Sequence, residues 1–178
     1  VLHGLLDASV NVCDFSLTNG KFPSREQIRA KNHGVIARAI TFVEEGNNSE
    51  VSEPTRKIPV LGITGTGGAG KSSLTDELVH RYLHAFPTIT IAILSVDPTR
   101  QKTGGALLGD RIRMNAINDD RVYMRSLATR DSKTELSGSI NEVVSVVKAA
   151  NYDLIIVETS GIGQGNAEIA DLSAVSLY

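Results

Sequence analysis

The sequence has no tryptophan, a single cysteine, only two methionines and 4% aromatic residues. Each scarcity removes a class of protein. One cysteine, Cys13, cannot make an intrachain disulfide, so no disulfide scaffold is possible, and the usage fits a reducing cytosol. No uninterrupted apolar stretch approaches the roughly 18 residues that a membrane-spanning helix needs, so no membrane role is expected. The first residues, Val-Leu-His-Gly, lack both a methionine and the charged region of a signal peptide and read as a cut end. There is no excess of either charge: 18 Lys and Arg stand against 20 Asp and Glu, a formal net charge of −2. That balance excludes a nucleic-acid binder working by bulk positive charge, and it excludes a disordered acidic tail. Internal repeats and low-complexity tracts are also missing. What remains, 178 residues of which 41% are hydrophobic, suits one α/β domain with an appendage.

The even balance hides an uneven distribution. Residues 97–130 carry seven basic side chains against four acidic ones, whereas residues 131–178 carry two basic against seven acidic. A locally positive segment beside an acidic half is a solvated face or an anion site, depending on what lies next to it.

Patterning divides the chain at about residue 57. Residues 1–57 read as a helical linker or N-terminal segment. Ser24 and Gln27 have the spacing of a capping box, and Ile28, Val35, Ile36, Ile40 and Val43 recur at helical intervals. Gly34 argues against one unbroken helix. The run from Gly46 to Pro54 is polar and turn-rich. Beyond it the period changes. Ile58–Ile63, Ile89–Val96, Val122–Leu127 and Leu154–Val157 are short apolar runs of the kind buried on both faces of a parallel sheet, and Ala174–Tyr178 resembles the opening of a fifth. Between them, Lys71–Phe86 offers a stripe of Leu74, Leu78, Val79, Leu83 and Phe86 and stops at Pro87, and Ser139–Ala150 offers Ile140, Val143, Val144 and Val147. Alternation of strand and helix predicts right-handed βαβ crossovers and a three-layer α/β/α domain with a mostly parallel sheet over residues 58–178, broken off at its C-terminus.

The first run leads straight into Gly65-Thr66-Gly67-Gly68-Ala69-Gly70-Lys71-Ser72 and then a helix, which is GxxxxGK[ST] in the context it requires. Glycines let the backbone amides turn inward to a polyphosphate, the helix N-terminus adds its positive end, Lys71 is placed for the β- and γ-phosphates, and the Ser72 hydroxyl for Mg²⁺. The binding set is thus Gly67, Gly68, Ala69, Gly70, Lys71, Ser72 and Ser73. Two acidic residues, Asp97 and Glu158, end the second and fourth runs, at the carboxyl ends of the parallel strands, outside which ligands sit. Glu158-Thr159-Ser160-Gly161 pairs an acid with a glycine that can offer its amide to a γ-phosphate. In the glycine-rich run Gly104–Arg113, Asp110 is a candidate for the metal shell and Arg111 for phosphate contact.

These motifs, together with Ser95-Val96-Asp97-Pro98-Thr99, Gly104 through Met114 and Val157 through Gln164, resemble the SIMIBI class of P-loop GTPases. Within it they are most similar to the metallochaperone and cobalamin-chaperone family of MeaB/ArgK type, across about residues 58–178. The branch whose G domain is fused inside isobutyryl-CoA mutases matches best. The resemblance implies Mg²⁺ held by Ser72, Asp97, Asp110 and Glu158, a first switch from Asp97 to about Met114, and a second from Glu158 to about Gly165. It implies GTP and GDP as ligands, with Lys71, Glu158 and Gln164 serving hydrolysis. It further implies gated loading of adenosylcobalamin into an acyl-CoA mutase, fused or separate, with the parent protein a cytoplasmic homodimer. The chain itself has no Asp-x-His-x-x-Gly motif for cobalamin. The residues alone leave open an ATP-using kinase or ATPase, or a module that binds nucleotide without hydrolysing it, because no Asn/Thr-Lys-x-Asp motif that reads guanine is present.

Overall fold

The computed structural model describes residues 21–47, 51, 53–97, 114–128, 135–159, 169 and 171–178. In chain order the elements are α1 (Arg25–Arg29), α2 (His33–Glu44), β1 (Val60–Ile63), α3 (Lys71–Ala85), β2 (Ile91–Asp97), a 3₁₀ turn (Ala116–Asn118), β3 (Val122–Ala128), α4 (Glu135–Ala149), β4 (Leu154–Thr159) and β5 (Val175–Leu177). The five strands form one sheet in the order β3-β2-β4-β1-β5, and every pairing is parallel. The three-layer α/β fold expected from the alternating pattern is therefore the one observed. The apolar runs are strands because they are short and their side chains are covered on both faces by helices, with β-branched residues most frequent in β4.

Alternation along each strand feeds two cores. Val60, Leu94, Val96, Tyr123, Leu127, Ile155 and Val157 face α1, α2 and α4, where Ile28, Ile36, Ile40, Val43, Val143 and Val147 meet them. On the other face Ile63, Ile91, Ile93, Met124 and Ile156 pack with Val79 and Leu83 of α3 and with Met114 and Ala116. The helices before residue 47 thus share a continuous core with the sheet.

Local chemistry sets the boundaries. The Ser24–Gln27 capping box forms in full, with Gln27 N–H donating to Ser24 Oγ at 3.3 Å and Ser24 N–H donating to Gln27 Oε1 at 2.9 Å. The helical segment is interrupted at Lys31, which takes φ 54°, and restarts at the Asn32 cap. Gly34, where the break was expected, lies inside the first turn of α2. Strand β1 starts at Val60, two residues later than the apolar run, since Pro59 has no N–H for a ladder; only its carbonyl is used, by Ile155 N–H at 3.1 Å.

Helix α3 keeps the middle of its expected stripe, with Leu78 packed beside the buried Val79 and Leu83, and departs from it at both ends. It buries Thr75, Val79 and Leu83, whereas Leu74 is 44% exposed and Phe86 54% exposed. The buried line is the i, i+4 row through Thr75, rotated one position from the row through Leu74. Phe86 has extended backbone as the residue beyond the helix, which ends there ahead of Pro87, and its ring stacks on Tyr82 instead of the sheet.

Candidate nucleotide site

At the carboxyl end of β1 the chain is held before it turns. Thr64 is buried, its N–H donates to the Leu177 carbonyl at 3.0 Å, and its hydroxyl receives the Thr159 hydroxyl at 2.9 Å. The loop then curls through Gly68 at φ 78° and Gly70 at φ 84°, left-handed values that disfavour any side chain. A Cβ placed on Gly67, Gly68 or Gly70 would meet no protein atom within 4 Å, so these glycines line open space. Gly70 is also the N-cap of α3 and offers no side-chain cap, which leaves the first amides of the helix available. Free amides and the positive end of the helix dipole, both facing a glycine-lined concavity, are the physical requirements of an anion site.

Lys71 is the first residue of α3, and its side chain bends back over the loop. Its Nζ donates to the carbonyls of Gly65 at 2.8 Å and Thr66 at 2.7 Å. The ammonium is thereby kept at the mouth of the concavity, bonded to carbonyls that a phosphate oxygen, with full negative charge, readily replaces as acceptor.

Glu158 is the penultimate residue of the central strand β4, which runs on to Thr159, and it is in register with Ile63 of β1 and Ser95 of β2. It is 3% exposed, and both carboxylate oxygens have partners on α3. Ser72 Oγ donates to Oε1 at 2.9 Å and Thr75 Oγ1 lies 2.7 Å from Oε2. Thr75 Oγ1 is also 3.0 Å from the Lys71 carbonyl. Thr75 is absent from the candidate residues drawn from the sequence, although it lies on the same helix face as Ser72, three positions on, and is the one polar member of the buried row. Ser95 pairs on its other side with Ser126, whose hydroxyl is buried with no partner among the described residues. A polar strip of Ser126, Ser95 and Glu158 thus ends the apolar core on the α3 face and begins the site.

The structure brings together Gly67, Gly68, Ala69, Gly70, Lys71, Ser72 and Glu158. Ser73 is exposed on the outer side of the same turn. The backbone of Asp97 closes β2, adjacent to β4, while its side chain lies outside the described residues, as do Asp110, Arg111, Gly161 and Gln164. For a divalent cation, Ser72 and Glu158 supply a hydroxyl and a carboxylate at one point beside the phosphate cradle. Both are hard oxygen donors, the chemistry that suits Mg²⁺, which takes one or two carboxylates and completes its shell with phosphate and water. Among the described residues no group of three or more His, Cys, Asp or Glu gathers into a metal cluster. Nor is any helix among them long and apolar enough to cross a membrane.

Known proteins resemble the chain over nearly its whole length. A family model described as methylmalonyl Co-A mutase-associated GTPase MeaB matches residues 36–178. A fused isobutyryl-CoA mutase of Geobacillus kaustophilus is 55% identical over 99% of this chain, which spans 18% of that relative. The GTPase ArgK of Escherichia coli is 31% identical over 83% of this chain, corresponding to 47% of its own length. Among solved structures, a LAO/AO transport system kinase superposes with a TM-score of 0.64 at 23% identity, covering 86% of this chain and 48% of that one, a likeness of fold. The chain spans less than a fifth of the fused mutase and about half of ArgK. A parallel sheet that holds a glycine-rich loop, a lysine and a strand-end carboxylate in one concavity, together with a family match over most of its residues, places this chain in the MeaB family of mutase-associated GTPases.

Proposed function

We propose that this chain is the Mg²⁺-dependent GTP-binding and GTP-hydrolysing domain of an adenosylcobalamin-dependent acyl-CoA mutase of the isobutyryl-CoA/n-butyryl-CoA type, and that its nucleotide state gates cofactor loading and protection of the mutase. The observation that carries the reading is the 2.9 Å contact between Ser72 and Glu158, at the mouth of the loop that Lys71 closes. The resemblance to fused isobutyryl-CoA mutases supports the mutase partner, and a homodimeric, cytoplasmic parent protein is part of the same proposal. The proposed GTPase unit includes α1 and α2, whose apolar residues share one core with the sheet, instead of beginning near residue 57.

In this reading, the amides of Gly67 through Ser73 receive the β- and γ-phosphates. Lys71 exchanges its two carbonyl partners for phosphate oxygens. Ser72 and Glu158, with Asp97 and Asp110, would hold Mg²⁺, which would supply positive charge to offset that of the triphosphate. Arg111 and the Gly161 amide meet the γ-phosphate, and Gln164 orients the attacking water. Water adds to the γ-phosphorus as the β–γ bridging P–O bond breaks, giving GDP and inorganic phosphate. Lys71 and the loop amides stabilise the charge that develops on the transferring group.

Lys71→Ala in the intact protein is expected to weaken GTP binding and slow hydrolysis by on the order of 100-fold, the usual cost of one aimed donor. It is also expected to remove the nucleotide dependence of adenosylcobalamin transfer. Equilibrium binding, phosphate release and cofactor transfer measured with GTP, ATP and a non-hydrolysable GTP analogue test this. Unchanged hydrolysis in the variant, or equal use of ATP, would sink the proposal.

A further inference from the structure

We infer that Thr75 is a positioning residue for Glu158: it holds one carboxylate oxygen from inside the core so that the other faces Ser72 and the cation. The inference rests on the reading of this loop as a Mg²⁺–GTP site. A carboxylate at the end of a strand can rotate about its side-chain bonds, and a cation site needs one of its oxygens in one place. Thr75 is completely buried, and its hydroxyl lies 2.7 Å from Oε2. Ser72 approaches the other oxygen, at 2.9 Å, from the more accessible first turn of the helix. Ligation of a cation changes the partners of Ser72 and Oε1, but the contact from Thr75 stays on the protected side of the carboxylate.

The second acceptor of Thr75 adds a further property. A hydroxyl has one proton, and two acceptors stand within reach, Glu158 Oε2 at 2.7 Å and the Lys71 carbonyl at 3.0 Å. When Glu158 is in place, the shorter contact takes the proton. When the carboxylate moves, the proton turns to the Lys71 carbonyl and no buried donor is left without a partner. Thr75 therefore holds Glu158 without trapping it, and it couples the carboxylate to the backbone of the lysine that meets the phosphates.

The experiment measures nucleotide affinity, not turnover. Fluorescent GDP and GTP analogues are titrated against the intact protein across a range of Mg²⁺ concentrations and in EDTA. Thr75→Val keeps the shape of the side chain and loses the hydroxyl. It is expected to raise the Mg²⁺ concentration for half-maximal tightening by about 10-fold, the lower range for a hydrogen bond to a carboxylate, with affinity in EDTA unchanged. Thr75→Ala removes the hydroxyl without adding a methyl group and carries the same expectation. Thr75→Ser keeps the hydroxyl and should stay within about twofold of the natural protein. A natural Mg²⁺ midpoint in Thr75→Val or Thr75→Ala overturns the inference. So does a Thr75→Ser midpoint as high as theirs, or an equal loss with and without Mg²⁺, since packing then explains the effect. If the natural protein itself gains no nucleotide affinity from Mg²⁺, the proposed GTPase site falls and this inference falls with it.

Discussion

Gly62, in the middle of β1, has no room for a side chain. A Cβ there would stand 2.5 Å from Ser173 Oγ and 2.8 Å from Ile169 Cγ2, so the segment leading into β5 rests directly on the strand. Gly62→Ala is expected to lower stability by about 1–3 kcal/mol through overpacking, read as a lower urea midpoint at constant slope. Because Ile63 and Thr64 follow at once, the same shift should loosen the phosphate loop, and an unchanged midpoint would show that the segment gives way without cost. Lys71, Ser72 and Glu158 were legible in the sequence because a contiguous motif specifies the first two, and an acid ending an apolar run specifies the third. Thr75 was not. A threonine within a helix ordinarily bonds back to its own helix, here to the Lys71 carbonyl, and nothing nearby announces a partner 83 residues away. Gly62 was legible only as part of a motif, since what crowds it comes from more than 100 residues later.

Helices show the same division one level up. The capping box at Ser24 and the repeat through Ile28, Ile36, Ile40 and Val43 identify helical structure before residue 47, but no local pattern says what those residues face. In the fold they are packed against Val143, Val147 and the sheet residues Ile155 and Val157. Arg125 of β3 adds a polar tie, donating to Glu44 at 2.9 Å and to Thr41 at 3.1 Å. Ile40→Ala removes a fully buried side chain at this seam and is expected to cost about 2–5 kcal/mol. Since α2 shares the core of the sheet, urea unfolding followed by circular dichroism should remain one transition at a lower midpoint. A separate early transition for the helices would contradict a shared core. On α3 the expected apolar stripe holds at Leu78, Val79 and Leu83 and fails at its two ends, where Thr75, not Leu74, lies over the sheet and Phe86 stands beyond the helix. Thr75 is matched there by its contact with Glu158, which a hydrophobic pattern does not register.

At the scale of the molecule, a second polar cluster lies at the opposite end of the strands from the nucleotide site. Asp153, just before β4, accepts from Thr90 N–H and Thr90 Oγ1, both at 2.7 Å, and is paired with Arg56. Lys31 donates to Thr90 Oγ1 at 2.9 Å and lies over the Tyr152 ring, and Thr55 donates to Asn151. The cluster joins the turn between α1 and α2, the approach to β1, and the starts of β2 and β4. Burial pushes the Asp153 carboxyl up, but the Thr90 hydrogen bonds and the Arg56 guanidinium outweigh it and hold the pKa at about 2, against an ordinary 3.8. A depressed carboxyl stabilises the folded state above its ordinary pKa, and that contribution is lost as pH falls from about 4 through about 2. With solvent screening of the half-exposed arginine, it is on the order of 1 kcal/mol. Asp153→Asn should therefore lower stability at pH 7 by about this amount and flatten the loss between pH 4 and pH 2. Urea midpoints across that range measure it, and parallel curves for the two proteins would exclude Asp153 as the titrating group.

The sequence by itself determined the fold class, the phosphate loop and the carboxylate opposite it, because each is written in adjacent residues. A parallel sheet needs short apolar runs separated by helices, and a phosphate cradle needs glycines followed by a lysine and a hydroxyl. Only the tertiary structure decided the strand order, in which β4 enters between β1 and β2 and so sets Glu158 beside the loop. It also decided that Thr75 joins the buried face of α3, and that the N-terminal helices complete one core with the sheet. These depend on contacts between residues far apart in the chain, where packing and the pairing of buried polar groups select one arrangement among several that local patterns allow.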